Sequence, residues 1–414
     1  MSLRLYQEEG AARLAVSTRM ILGDAVGLGK TRTVIRALQL RGVAHAAVVC
    51  PAVVVDHWRR EAAAVYPGLK LTVVSYGKLS RQSDVQLGPM LDRPTALVVD
   101  EFHYCKSIDS KRTKLVFGPG GLSDQMLEAG GAVWAVSGTP MPRNPYELFP
   151  AFWALWRGDL FALGIKGHKD WLNTFCVWAP TDYGIRVYAP KNVPVLKSLF
   201  PGRLLRRRHV ELPPVRTGVL TLTAADLGTL PDLDPETAAR LASGQLPPMS
   251  PNLARYRHAV GDLKAPLVAE IVAEELDDEK ASRVVLAYHH SVLDALEDAL
   301  WEFHPVRVDG STSAAQRQTR VADFCNKRPL VRVFLGQIGA CGTGMDGLQH
   351  GAHEMLIAEP DWDSALNVQA VGRLHRMGQM KPVNVRFVAL ADTLDEAIVR
   401  QHERETAMRA VVVE

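Results

Sequence analysis

The stretch "ILGDAVGLGKT" (21–31) decides the fold. A short apolar run ends at Leu22, a glycine-containing loop follows, and "TRTVIRALQL" then opens with a helical pattern. Gly27 and Gly29 let the backbone amides of such a loop turn toward a phosphate. The helix N-terminus adds partial positive charge and Lys30 adds a full one, while the Thr31 hydroxyl suits Mg²⁺. Leu28 lies inside the same loop. The strict pattern G-x-x-x-x-G-K-[ST] fails at its first position, which is Asp24. A glycine-rich turn with a surface lysine is the plainer reading of this stretch taken by itself.

A second element lies downstream. "ALVVDEFHYCKS" (96–107) carries four apolar residues and then Asp100, Glu101, Phe102 and His103. A strand ending in two carboxylates can give one to a metal and one to a water. Asp100 then serves Mg²⁺ and Glu101 acts as base. Two solvated acids at a strand end is the alternative, and the order and spacing relative to 23–31 argue against it.

Outward from these two stretches, "AAVVCP" (46–51), "LTVVSYG" (71–77) and "AVWAVSGTP" (132–140) read as buried parallel strands. "SRVVLAYHH" (282–290), "VRVFLGQ" (331–337), "EMLIAE" (354–359) and "NVRFVAL" (384–390) repeat the style. Strands separated by helix-length segments predict two α/β lobes with parallel sheets. The lobe boundary is expected near 208–212. Residues 145–205, rich in Trp, Phe and Leu, read as a helical protrusion whose aromatic residues pack rather than stack on bases. The proline-rich run over 209–252 reads as a linker or small protrusion, extending to about 265. The predicted lobes are thus 1–208 and 209–414.

A chain of 414 residues exceeds one ordinary core. Hydrophobic residues make up 47% and charged residues 22%, which excludes a disordered chain. A net charge of +3 excludes a broadly basic surface, so any nucleic-acid groove must be local. The five cysteines form no C-x-x-C pair, which argues against a zinc site or disulfide framework. The N-terminus lacks the apolar core of a signal peptide, and no apolar run is long enough to span a bilayer. His289 and His290 have no third ligand at suitable spacing. The basic run Arg206–Arg208 in "LLRRRHVELPP" (204–214) is either a solvated face or a DNA-contacting or coupling element.

On "DEFH" and the loop before it, the chain resembles the Swi/Snf-type ATPases of helicase superfamily two. The likeness continues in the family's order. "LRLYQEEGAARL" (3–14) resembles its Q motif, with Gln7 placed to read adenine. "VVCPAVVVDHWRREA" (48–62) resembles its next motif, a strand and a Trp-containing helix. "SGTPMPRNPYELF" (137–149), "RVDGSTSAAQRQTRVADF" (307–324), "GTGMDGLQ" (342–349) and "EPDWDSALNVQAVGRLHRMGQ" (359–379) match later elements. Phe102 stands where the family usually has a small residue, and the 336–349 segment is spaced differently. That spacing leaves the roles of Gln337, Gly342 and Thr343 open.

The resemblance implies two RecA-like parallel-sheet lobes with helical insertions, and ATP with Mg²⁺ as cofactors. It implies that Arg373 and Arg376, three apart on one helical face, reach the γ-phosphate when the lobes close. Gly344 and Gln369 would join Gln7 and the 27–31 loop at the nucleotide. Gly310, Ser311 and Thr312 would touch the phosphates of DNA, with Arg206 and Arg207 as further contacts. His103 and His375 would bridge the lobes. The expected activity is a DNA-dependent ATPase translocating on double-stranded or forked DNA. The chain lies closest to the fork-remodelling, annealing branch, as a compact, monomeric, bacterial or phage-like motor with no appended chromatin-reading module. A cytoplasmic setting follows, with a nuclear one left open, and the sequence names no protein partner. A strand-separating DNA or RNA helicase and an ATP-gated DNA clamp are the rival readings.

Overall fold

The computed structural model describes residues 3–81, 95–181, 184–208, 212–223, 230–278, 282–326, 330–341 and 345–413. It divides into two compact units, Met1–His209 with Thr406–Glu414, and Val210–Glu405.

The first unit is built on a six-stranded sheet. Its strands are β1 (Arg19–Leu22), β2 (His45–Cys50), β3 (Lys70–Ser75), β4 (Ala96–Asp100), β5 (Ala132–Val136) and, beyond an antiparallel hairpin of β6 (Cys176–Thr181) and β7 (Gly184–Pro190), β8 (Leu204–Leu205). The sheet order is β3-β2-β4-β5-β1-β8, and every pairing in it is parallel. β5 therefore separates the strand before the glycine loop from the strand that ends in the two acids. Alternation along the strands sorts side chains to two faces. Ile21, Val49, Leu97, Val99 and Val133 join one core; Leu22, Val48, Val98 and Trp134 join the other. Helices Leu5–Ala15, Lys30–Leu40 and Val55–Val65 cover the second face through Leu14, Val34, Leu38 and Trp58.

The segment 145–205 departs from the expected all-helical protrusion in two ways. It contains the β6–β7 hairpin, and most of its aromatic residues belong to or pack against the first unit's own core. Phe152, Trp156, Trp171 and Phe175 are buried among strand residues of the first face. Trp171 meets Phe175 edge-on at 4.7 Å. Residues that large bury best where a sheet face needs a lid.

The second unit repeats the plan with β9 (Val215–Leu222), β10 (Arg283–Ala287), β11 (Val306–Val308), β12 (Val333–Gln337), β13 (Glu354–Ile357) and β14 (Val383–Leu390). The order is β11-β12-β10-β13-β14-β9, again parallel throughout. β9 corrects the linker expected over 209–265. It pairs with β14 from Val215↔Val383 to Leu222↔Leu390. It lies at the sheet edge with most residues exposed, so it shows none of the apolar run that marked the central strands. The helix Pro251–Asp278 also begins inside the expected linker. Among the described residues, no helix is long and apolar enough to cross a membrane.

Candidate active site

β1 delivers the chain into the loop 23–29, and Gly29 ends it in left-handed geometry (φ 73°) as the cap of helix Lys30–Leu40. Gly27 has φ 87°. Both positions favour glycine because a Cβ would strain that backbone. Gln7 supports the loop from below: its side-chain Nε2 donates to Leu28 O at 3.1 Å, as does the Tyr6 hydroxyl, also at 3.1 Å. A Cβ on Gly29 would collide with that Gln7 amide.

The half-buried Lys30 side chain folds back over its own loop, its ammonium donating to Asp24 O at 3.0 Å and Ala25 O at 3.3 Å. Burial lowers its pKa, while the charges of Glu101, Asp24 and Asp100 act in the other direction. An ammonium held over a glycine loop at a helix start, near carboxylates, has the chemistry to receive a phosphate and a divalent cation.

β4 supplies the acids. Asp100 takes the indole N–H of Trp58 on Oδ2 at 2.7 Å and the Glu101 amide on Oδ1 at 3.0 Å. The Tyr76 hydroxyl donates to its carbonyl at 2.8 Å. Burial, then the neighbouring Glu101, push the Asp100 carboxyl up. Burial also acts against ionised Glu101, but the hydrogen bond and charge of His103, with Lys30 and Ser137, outweigh it and hold its carboxyl low. Glu101 adopts φ 49°, a strained backbone for a residue with a Cβ, and such strain concentrates at functional sites. Ser137, just beyond β5, donates to Glu101 Oε2 at 3.0 Å and bonds His103 Nδ1 at 2.8 Å. A carboxylate kept ionised and aimed by two neighbours is suited to accept a proton from water. A buried, desolvated Asp100 is suited to a cation that relieves it.

Trp58 and Tyr76 were not singled out as site residues from the sequence. Their signal was the lone Trp in the helix after β2 and the Tyr directly after β3.

In the second unit, Arg373 and Arg376 converge. The Nη1 of each donates to Met345 O, at 2.8 and 3.3 Å, and Arg376 also pairs with Asp346 at 3.4 Å. They do not sit on a helix as expected. Helix Ser364–Val371 stops before Gly372, and both arginines ride on successive turns closed by bonds such as Arg373 N to Ala370 O. Gln369 is buried, and neither its Oε1 nor its Nε2 has a hydrogen-bond partner among the described residues. Such an amide is costly to leave unpaired. Gly344, with Gly342 and Thr343, lies outside the described residues. The bonds of His103 described above, and that of His375 to Pro213 O at 3.0 Å, lie inside their own units.

Gly310, Ser311 and Thr312 form a loop whose donors turn inward. Ser311 N and Oγ donate to Asp309 Oδ1 at 3.0 and 2.6 Å, Thr312 Oγ1 does so at 3.2 Å, and Gly310 N donates to Gln337 Oε1 at 3.0 Å. The loop borders an open cavity of about 610 Å³ shared with Arg307, Gln316 and Arg320. Arg206 and Arg207 do not serve as a solvated basic face. Arg206 donates to Gly23 O at 2.7 Å, and Arg207 is ion-paired with the fully buried Asp24.

A model of the helicase conserved C-terminal domain matches residues 265–378. The chain is 24% identical over 430 residues to the SWI/SNF-related matrix-associated actin-dependent regulator of chromatin subfamily A-like protein 1 of Drosophila melanogaster, covering 95% of this chain and 53% of that protein. It is 27% identical over 341 residues to the DNA annealing helicase and endonuclease ZRANB3 of Mus musculus, covering 80% of this chain and 31% of that protein. The chain spans about half or less of the length of these relatives. The Sulfolobus solfataricus SWI2/SNF2 ATPase core in complex with dsDNA aligns at 17% identity with a TM-score of 0.43, over 100% of this chain and 97% of that one. In its ordered motifs, its helicase C-terminal match and its SWI/SNF-related and ZRANB3 relatives, the chain is similar to the Swi/Snf-type ATPases of helicase superfamily two.

Proposed function

We propose that the protein hydrolyses ATP with Mg²⁺ and uses the cycle to move on double-stranded DNA, remodelling forks or protein–DNA structures. The observation that carries this reading is the first unit's cluster: half-buried Lys30 folded over the 23–29 loop, with the charges of Asp100 and Glu101 acting on it. Thr31 and Asp100 would hold Mg²⁺, which when bound offsets the negative charge of the phosphates. Lys30 exchanges its two loop carbonyls for phosphate oxygens. Glu101, held ionised by His103 and Ser137, takes the proton of the attacking water. Gln7 stations the loop and reads the base. Arg373 and Arg376 act on charge developing in the transition state, and Gln369 completes that side of the nucleotide. DNA would be held through phosphates by Gly310, Ser311 and Thr312, once their donors leave Asp309 and Gln337.

The likeness to relatives named DNA annealing helicases supports fork reannealing as the form of remodelling in this reading. A monomeric motor suits this reading. The test is a strand assay on the full chain. ATP-driven displacement of a third strand from a DNA triplex, with little unwinding of a plain forked duplex, is expected. Efficient unwinding of a long duplex without triplex displacement would replace this reading with a strand-separating helicase. Tight DNA binding with negligible turnover would replace it with an ATP-gated clamp.

A further inference from the structure

The phosphate loop is braced by a part of the chain far away in sequence. β8 lies beside β1, with Ile21 opposite Leu204 and Leu22 opposite Leu205. The pairing runs on past both strands: Gly23 N donates to Leu205 O at 2.8 Å, and Ala25 N donates to Arg207 O at 3.0 Å. Asp24 occupies the position where a strict phosphate-loop pattern has glycine, and it is 0% exposed. Arg207 answers it with a backbone N–H to Oδ1 at 2.9 Å, Nε to Oδ1 at 3.0 Å, and an Nη2–Oδ2 ion pair. The remaining Nη1 of Arg207 donates to Tyr6 O, and the guanidinium lies 5.4 Å from the Tyr6 ring centroid. Gly10 leaves the room for it, since a Cβ there would strike the guanidinium.

The same two loop residues carry Lys30. Its ammonium rests on the carbonyls of Asp24 and Ala25, whose other groups are held by Arg207. When a phosphate draws the ammonium away, Arg207 is what keeps residues 24 and 25 in shape. We propose that Asp24 and Arg207 are positioning residues: a buried latch that sets the phosphate loop and links its occupancy to the segment 203–208. That segment directly precedes the passage of the chain into the second unit at Val210. The proposal rests on the nucleotide reading of the loop. Linkage makes it reciprocal: what the latch gives to nucleotide affinity, nucleotide gives back to the latch.

The experiment is amide hydrogen exchange on the full chain with and without a non-hydrolysable ATP analogue. It reads the amides of Gly23, Ala25 and Arg207 in the wild type, in Asp24→Asn and in Arg207→Lys. Nucleotide should slow exchange at Arg207 in the wild type by roughly 5-fold or more. Both variants should still bind the analogue, with weakened affinity, and should lose that response. KM for ATP should rise by a larger factor than kcat falls. A purely structural ion pair would lower the melting temperature of the variants and leave the nucleotide response of Arg207 intact. If Asp24→Asn does not fold, Arg207→Lys, which keeps the charge, carries the same comparison. Wild-type binding with no change at Arg207, or variants that keep the full response, would overturn the latch alone. Failure of the wild type to bind the analogue would overturn the latch together with the nucleotide reading.

Discussion

The indole N–H of Trp58 donates to Asp100 Oδ2 at 2.7 Å, with Trp58 fully buried and Asp100 nearly so. This bond is one of two that offset the cost of burying the carboxylate at the end of β4. Trp58→Phe removes the donor and keeps most of the ring. Leaving that oxygen unsatisfied should destabilise the chain by about 1–3 kcal/mol. Denaturant unfolding of the wild type and variant checks this, and an unchanged midpoint would show that Asp100 finds another donor.

Lys30 and Glu101 should separate binding from chemistry. Lys30→Ala removes the group proposed to exchange loop carbonyls for phosphate, so nucleotide binding should be lost. Glu101→Gln keeps the shape and the Ser137 contact but cannot accept a proton, so ATP should bind without turnover. Equilibrium binding of a fluorescent ATP analogue reads both variants, and tight binding by Lys30→Ala would remove the lysine from the phosphate site.

Arg373 and Arg376 share the carbonyl of Met345, at 2.8 and 3.3 Å. Arg373→Ala and Arg376→Ala should each lower kcat by about 10³-fold or more, as loss of a transition-state arginine does in other phosphoryl-transfer enzymes. ATP affinity should change little. A rise in KM with kcat intact would make them ground-state contacts instead.

The ion pair of Lys264 with Asp395 tests the second unit's core. Lys264 is 1% exposed, and its ammonium meets Asp395 at 2.5 Å and Val388 O at 3.1 Å. Lys264→Met should cost about 3–5 kcal/mol, because Asp395 is left charged and buried. Lys264→Met with Asp395→Leu should recover most of it. Chemical denaturation of the two variants decides, and a single variant as stable as the wild type would contradict the burial argument.

Much of this was legible in the sequence, and the reasons differ by element. β2, β4, β5, β10, β12 and β13 are buried on both faces, so their apolar runs stand out. β9 is an edge strand of the same sheet as β13 and was hidden among prolines, because exposure on both sides removes the hydrophobic signal. The structure brings the lysine and the acids together, and each had a local signature: a glycine loop opening a helix, and an apolar strand ending in two carboxylates. The Asp24–Arg207 pair was not, since 183 residues separate its members and no local rule relates them. The arginine pair was found, but its backbone was misassigned. A three-residue spacing places two side chains together on turns as well as on a helix.

The proposed role of Glu101 is to drive ATP hydrolysis in response to duplex DNA. The most direct measurement is steady-state ATP turnover of the full chain with and without double-stranded DNA, set beside Glu101→Gln. Wild-type turnover should rise many-fold on adding duplex DNA, and the Glu101→Gln variant should be inactive in both conditions. Near-normal turnover by Glu101→Gln, or a wild type indifferent to duplex DNA, would contradict it.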